Sequence, residues 1–204
     1  MAIEAVIFDY GNVISLPQAG NSLDHLATIA GLDRPTMEKI VWENRDPYDR
    51  GLLSGKEYYR TMLAAVGVEL DNKAMEQLVR ADLESWAQLN PQTVTLIEDL
   101  QQRGFRTGIL SNMPKDFLAL ARERFPLFKK VEVGIFSCDV GYNKPERTIY
   151  EVLLKTLGLP ADRTVFFDDI PVNVDGARAL GIQAFLWKNP ETAKKDLRHL
   201  GVGV

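Results

Sequence analysis

Four short apolar runs, at residues 5–8, 106–110, 164–167 and 182–186, limit what this chain can fold into. None is long enough for a helix, and none shows the apolar–polar alternation of a strand with one wet face. Each therefore reads as a strand buried on both faces, the pattern of a parallel sheet covered by helices. Strands and helices alternate from residue 90 to residue 204, which predicts a doubly wound α/β domain.

Helix ends are marked chemically. Asn90 and Pro91 open a helix that Gly104 stops, and Pro145 opens another, residues 146–157, that Gly158 stops. After the first strand the pattern changes, because residues 16–90 carry helical signatures only. Ser54 and Glu57 form a capping box ahead of residues 58–66, and Asp71 is placed to cap a helix running to Trp86. A connection of this length far exceeds what a strand-to-helix crossover needs. Residues 16–88 are expected to form an all-helical insert over the sheet, with residues 1–15 and 89–204 making the α/β core.

Composition narrows the function. The chain has 204 residues, 46% hydrophobic and 25% charged, with a net charge of −4. No basic cluster offers an electrostatic footprint for nucleic acid or an anionic membrane, and no apolar run approaches the roughly 20 residues of a membrane span. The single Cys138, beside only His25 and His199, permits neither an internal disulfide nor a Cys/His zinc set, and fits a reducing cytoplasm. A small-molecule partner is the expectation that remains.

In a parallel α/β sheet, ligands bind beyond the carboxyl ends of the strands. The first run ends in Asp9, the second in Ser111-Asn112, the third in Asp168-Asp169. One such Asp is often no more than a helix cap, and Ser-Asn is often an ordinary turn. Carboxylates at adjacent strand ends, however, repel unless a cation neutralises them, and all-oxygen ligands favour Mg²⁺. Lys144, fixed by the proline after it, supplies a placed positive charge.

The order Asp9, Ser111, Lys144, Asp168-Asp169, carried by FDYGNV, ILSN, NKPERTIY and VFFDDIPVNVDGARALG, closely resembles the four motifs of the haloacid dehalogenase-like hydrolase superfamily. The resemblance spans nearly the whole chain. It implies a Rossmann-like core with the helical insert as a C1 cap, and the FDxGNV pattern is most similar to a sugar-phosphate phosphatase branch. It also implies roles: Asp9 as nucleophile forming an aspartyl-phosphate, and Mg²⁺ held by Asp9, the Gly11 carbonyl and Asp169, with Asp168 as ligand or behind one. Ser111, Asn112 and Lys144 would hold the phosphoryl oxygens of a small phosphate ester.

One position departs from that pattern. Most phosphatases of the superfamily carry an acid/base Asp two residues after the nucleophile, and here Gly11 stands there. General acid–base catalysis is typically worth about 10²–10⁴ in rate, so its loss implies a slow enzyme, reliance on good leaving groups or a substitute from the cap. Gly11 would alternatively serve a backbone conformation that only glycine tolerates. Two other readings compete: a phospholigand-binding protein without turnover, and a metal-free 2-haloacid dehalogenase, which would leave Asp168 and Asp169 unneutralised beside Asp9. In the insert, Trp42, Tyr48, Tyr58, Tyr59 and Trp86 are expected mainly as core, and Arg45 and Arg50 mainly as surface ion-pair partners. Trp42, Arg45 and Tyr48 are the candidates for contact with the leaving group.

Overall fold

The structure is a computed structural model that describes residues 2–204. A five-stranded, wholly parallel sheet lies at its centre: β1 (Ala5–Phe8), β2 (Arg106–Ser111), β3 (Val133–Phe136), β4 (Thr164–Asp168) and β5 (Gln183–Leu186), in spatial order β3-β2-β1-β4-β5. The expected strands are present, and β3 is an additional one. It lies at the sheet edge, is only four residues long and exposes Gly134 in its middle, so it lacks the apolar continuity of the central strands.

Alternate residues of the strands feed two cores. Val6, Phe8, Ile109, Val165 and Phe167 pack into one, while Ala5, Ile7, Leu110 and Phe166 pack into the other. Phe8 and Phe167 stack at 5.5 Å between ring centres, and Trp187 meets both edge-on. Burial on both faces is the physical reason that these strands read as unbroken apolar runs.

Helices α1 (Ser22–Ala30), α2 (Arg34–Trp42), α3 (Asp46–Asp49), α4 (Gly55–Ala64) and α5 (Asn72–Ser85) follow β1. They enclose a third core of their own, with Leu26, Met37, Tyr48, Tyr58, Tyr59 and Leu78 at its heart. The chain leaves and re-enters the sheet region at one point, where Leu16 N–H donates to the Gln88 carbonyl (2.7 Å) and Asn90 N–H to that of Ile14 (2.8 Å). Ser54 and Glu57 make a reciprocal capping box, and Asp71 caps α5 through the Ala74 N–H.

The remaining α-helices are α6 (Pro91–Gln102), α7 (Lys115–Arg124), α8 (Leu127–Lys130), α9 (Ser137–Val140), α10 (Arg147–Leu157), α11 (Pro171–Arg178) and α12 (Pro190–His199). Asn90 caps α6, as its sequence suggests. Helix α10 begins at Arg147 rather than at residue 146, because Glu146 is extended and its side chain binds the turn before it. Helix α4 ends at Ala64, short of the expected Val66. The strand order reverses at β1: β2 and β3 lie on one side, β4 and β5 on the other. Such a reversal opens a crevice at the carboxyl ends of the strands on either side of it.

Candidate active site at the carboxyl end of the sheet

The parallel register builds the site. Phe8 is level with Ile109 on one side and Phe167 on the other, so the next residues, Asp9, Leu110 and Asp168, arrive side by side at the crevice. The Asp9 N–H donates to the Phe167 carbonyl (2.8 Å), which holds the turn out of β1 against β4. One carboxylate oxygen from each of Asp9, Asp168 and Asp169 falls within 4.8 Å of the others.

Lys144 enters this cluster from the loop before α10. Its ammonium lies 2.8 Å from Asp9 Oδ1 and 2.6 Å from Asp168 Oδ2, and it donates to the Leu110 carbonyl at 3.0 Å. Its side chain is 1% exposed. Burial opposes the charge of Lys144, but Asp9 and Asp168 outweigh it and hold the ammonium above the ordinary lysine range. Burial pushes Asp9 well above the ordinary carboxylate range, Lys144 pulls it back, and Asp168 adds to the rise.

Each partner is itself fixed. Asn112 clamps the Lys144 peptide on both sides, accepting from its N–H (2.7 Å) and donating to its carbonyl (3.0 Å). Asp168 accepts from the Ile170 N–H (2.8 Å) and from Asn173 Nδ2 (3.1 Å to each oxygen) in addition to Lys144. Asp169 is less enclosed and accepts from Asn12 Nδ2 at 2.8 Å; burial nonetheless raises its pKa, against the pull of Asn12. Ser111 is buried beside Asp9 and lowers the pKa of that carboxyl.

Sequence reading did not single out Asn12 or Asn173 for these roles. Asn12 sits at φ 55°, a left-handed backbone that asparagine tolerates better than most residues, and this turn aims its amide at Asp169. Gly11 does not need to be glycine for its backbone: φ is −61° and ψ 130°, ordinary extended values. A Cβ there would meet only Trp86 Cζ3, at 3.7 Å.

Above the carboxylates lies a cavity of about 210 Å³ whose walls include Asp9, Gly11, Ser111, Asn112, Lys144 and Asp169, and, from the helical segment, Trp42, Arg45, Asp49, Asp82 and Trp86. Tyr48 is wholly buried and does not reach the cavity. Arg45 is not a surface residue. Its side chain is 13% exposed, lies 3.3 Å from Asp49 and covers the rings of Trp42 and Tyr48 at 5.4 Å. Arg50 pairs with Asp46 and Glu146 at 2.7 Å each and so joins α3 to the turn that carries Lys144. Asn143 Nδ2 donates to Asp46 Oδ1 (2.8 Å) at the same junction.

Counted as ionised groups, three carboxylates against one ammonium leave two negative charges at the strand ends. A divalent hard cation would balance them, and the all-oxygen donor set suits Mg²⁺. Removing the ammonium would leave Asp9 and Asp168 as uncompensated buried charges. Lys144→Met is therefore expected to lose about 3–5 kcal/mol of stability near neutral pH in metal-free buffer, read from urea unfolding. In that variant the folded-state pKa of Asp9, already raised by burial, rises further above its unfolded value. The deficit should accordingly shrink as pH falls through the raised Asp9 range and be smallest below about 3, where the carboxyls are protonated in both states.

Comparisons with known proteins agree with this geometry. The family model for haloacid dehalogenase-like hydrolases matches residues 3–181. The chain is 30% identical to phosphatase MT3486 of Mycobacterium tuberculosis (strain CDC 1551 / Oshkosh), over 98% of its own length and 96% of that protein's. It is 27% identical to bifunctional epoxide hydrolase 2 of Mus musculus over 97% of its length, matching 38% of that larger protein. Among solved structures, a haloacid dehalogenase family enzyme of Bacteroides thetaiotaomicron, in complex with magnesium and inorganic phosphate, superposes with a TM-score of 0.76 at 18% identity. The overlap covers 92% of this chain and 95% of that one. The parallel sheet, its strand-end carboxylates and a family match over most of the sequence lead to one conclusion: the chain belongs to the haloacid dehalogenase-like hydrolases.

Proposed function

We propose that the protein is a Mg²⁺-dependent phosphatase of small phosphorylated metabolites, sugar phosphates among them, acting through an aspartyl-phosphate on Asp9. The observation that carries this reading is the charge balance at the strand ends, where Asp9, Asp168 and Asp169 face a single buried Lys144. A phosphatase named among the relatives, at 30% identity over nearly full length, supports the reaction class. A fold neighbour that holds magnesium and inorganic phosphate is consistent with the same pair of ligands here.

In this reading Asp9 attacks phosphorus in line, the P–O bond to the leaving group breaks, and water then attacks phosphorus to free both phosphate and the carboxylate. Lys144, Ser111 and the backbone N–H of Asn112 hold the equatorial oxygens, where fixed donors in a partly dry site act most strongly. Asp9, the Gly11 carbonyl and Asp169 would hold Mg²⁺, which when bound neutralises charge on the transferring group. Asp168 has both oxygens committed to Lys144, Asn173 and the Ile170 N–H, so its part is to aim the ammonium. Residues 16–88 act as a cap that excludes water and meets the leaving group through Arg45 and its neighbours.

The reading is tested by phosphate release from p-nitrophenyl phosphate and from a panel of phosphorylated metabolites, with and without Mg²⁺. Asp9→Asn should abolish release while the protein stays folded, and Asp169→Ala should raise the Mg²⁺ requirement more than Asp168→Ala does. An equal or reversed order in Mg²⁺ titrations would refute the ligand assignment. Tight binding of phosphate esters without any release would mark a binding protein instead.

Gly11 generates a further expectation. With no acid at that position, kcat/KM should rise steeply as the leaving-group pKa falls, favouring aryl over alkyl phosphates. Because Gly11 has ordinary backbone angles and a Cβ there would make no more than van der Waals contact with Trp86, Gly11→Asp should fold and should flatten that dependence. A flat series in the wild-type protein would place the proton donor elsewhere.

A further inference from the structure

The helical wall of the cavity carries a charged cluster that the proposed reaction does not use. Arg45, Asp49 and Asp82 line it together with Trp42 and Trp86. A cavity-lining arginine is a common device for holding a second anionic group on a ligand, such as a carboxylate or another phosphate, through its planar fork of donors. Here that device is already balanced. Arg45 Nε lies 3.3 Å from Asp49 Oδ1. Burial disfavours its charge, yet Asp49 and Asp82 outweigh burial and hold the guanidinium above the ordinary arginine range. With all three groups ionised, one cation against two carboxylates leaves the wall with a single negative charge.

Three polar atoms of this wall are buried without any hydrogen-bond partner: the donors Arg45 Nη1 and Trp86 Nε1, and the acceptor Asp49 Oδ1. Asp82 lies beside the buried Tyr59 hydroxyl, whose pKa burial raises and Asp82 raises further. The Arg45–Asp49 contact is close enough to be an ion pair but is not aligned as a hydrogen bond. Asp82 is 1% exposed. Each unmet buried group costs about 1–3 kcal/mol, and native proteins keep few of them. Their concentration on one wall of one cavity marks a place where a ligand completes the bonding.

We infer that this wall selects a phosphate ester whose leaving group is uncharged and carries hydroxyls, and that Asp49 and Asp82 reject one bearing a second anion. The inference rests on the phosphatase reading given above. A hydroxyl both donates and accepts, so it satisfies the Asp49 oxygen and the Arg45 and Trp86 donors alike. A carboxylate only accepts, and would sit against two aspartates that already repel one another. Burial pushes Asp49 up to about 6 against the pull of Arg45, and Asp82 and Asp46 add to that rise. Trp42 and Trp86, edge to face at 6.2 Å, offer apolar surface to the carbon skeleton between the hydroxyls. The cavity, at about 210 Å³, is smaller than the roughly 300–1,000 Å³ of sites for drug-sized ligands and suits a small ester.

The test uses two matched pairs of esters that exchange CH₂OH for COO⁻: 2-hydroxyethyl phosphate against 2-phosphoglycolate, and glycerol 3-phosphate against 3-phosphoglycerate. Each is assayed with Mg²⁺, as kcat and KM where it is turned over and as Kd by calorimetry where it is not. The wild-type protein should favour the hydroxyl member of each pair by about tenfold or more, mainly in KM or Kd, as expected for like-charge rejection. Asp49→Asn and Asp82→Asn, made separately so that one folding failure does not end the test, should each move the ratio toward one. A wild-type preference for the carboxylate member, or ratios unmoved by both substitutions, would overturn the inference. Failure to release phosphate from any ester, p-nitrophenyl phosphate included, would instead strike the phosphatase reading, and the Kd ratios would still decide the selection by charge.

Discussion

The structure turns on one buried ammonium. Lys144 sits between Asp9 and Asp168 with almost no exposure to solvent. Removing a charge from water costs several kcal/mol unless partners replace the lost hydration, so everything near Lys144 serves to keep those partners in place. Asn112 pins its backbone, Asn173 and the Ile170 N–H orient Asp168, and the β1–β4 register sets Asp9 beside Asp168. The same arrangement leaves two negative charges that a divalent cation would balance. A cluster of this kind is costly as a mere structural element, since apolar residues of similar volume often stabilise a core at least as well.

The helical segment is tied to this cluster through the turn that carries Lys144. Arg50 of the segment reaches Glu146 and the Gly141 carbonyl, and Asp46 receives the Asn143 amide. Ser137 Oγ donates to the Asp49 carbonyl at 2.6 Å. Displacement of α3 would therefore break bonds on both flanks of Lys144 while also moving Arg45 and Asp49 away from the cavity. One wall of the cavity and the placement of the buried ammonium share one short helix.

Much of this is legible in the sequence because burial on both faces leaves a plain signal. The central strands show as unbroken apolar runs, and the residues that end them, Asp9, Ser111 and Asp168-Asp169, fall where a doubly wound sheet presents ligands. Strand β3 hides because an edge strand with an exposed Gly134 lacks that pattern. Asn12 and Asn173 hide for another reason: one depends on a left-handed turn, the other on which way the first turn of α11 faces. Arg45 looks like a surface arginine until the fold brings Asp82, from α5, to the same wall. A cluster assembled from separate helices leaves no local mark in the chain.

The proposed transfer of the phosphoryl group to Asp9 is tested most directly by the stereochemical course at phosphorus. With a phosphorothioate ester made chiral at phosphorus by two oxygen isotopes and turned over in water of the third, two successive in-line displacements predict net retention of configuration in the thiophosphate released. Net inversion would mean that water attacks the ester in a single step. Asp9 would then be at most a metal ligand or a base, and the assignment of the nucleophile would be wrong.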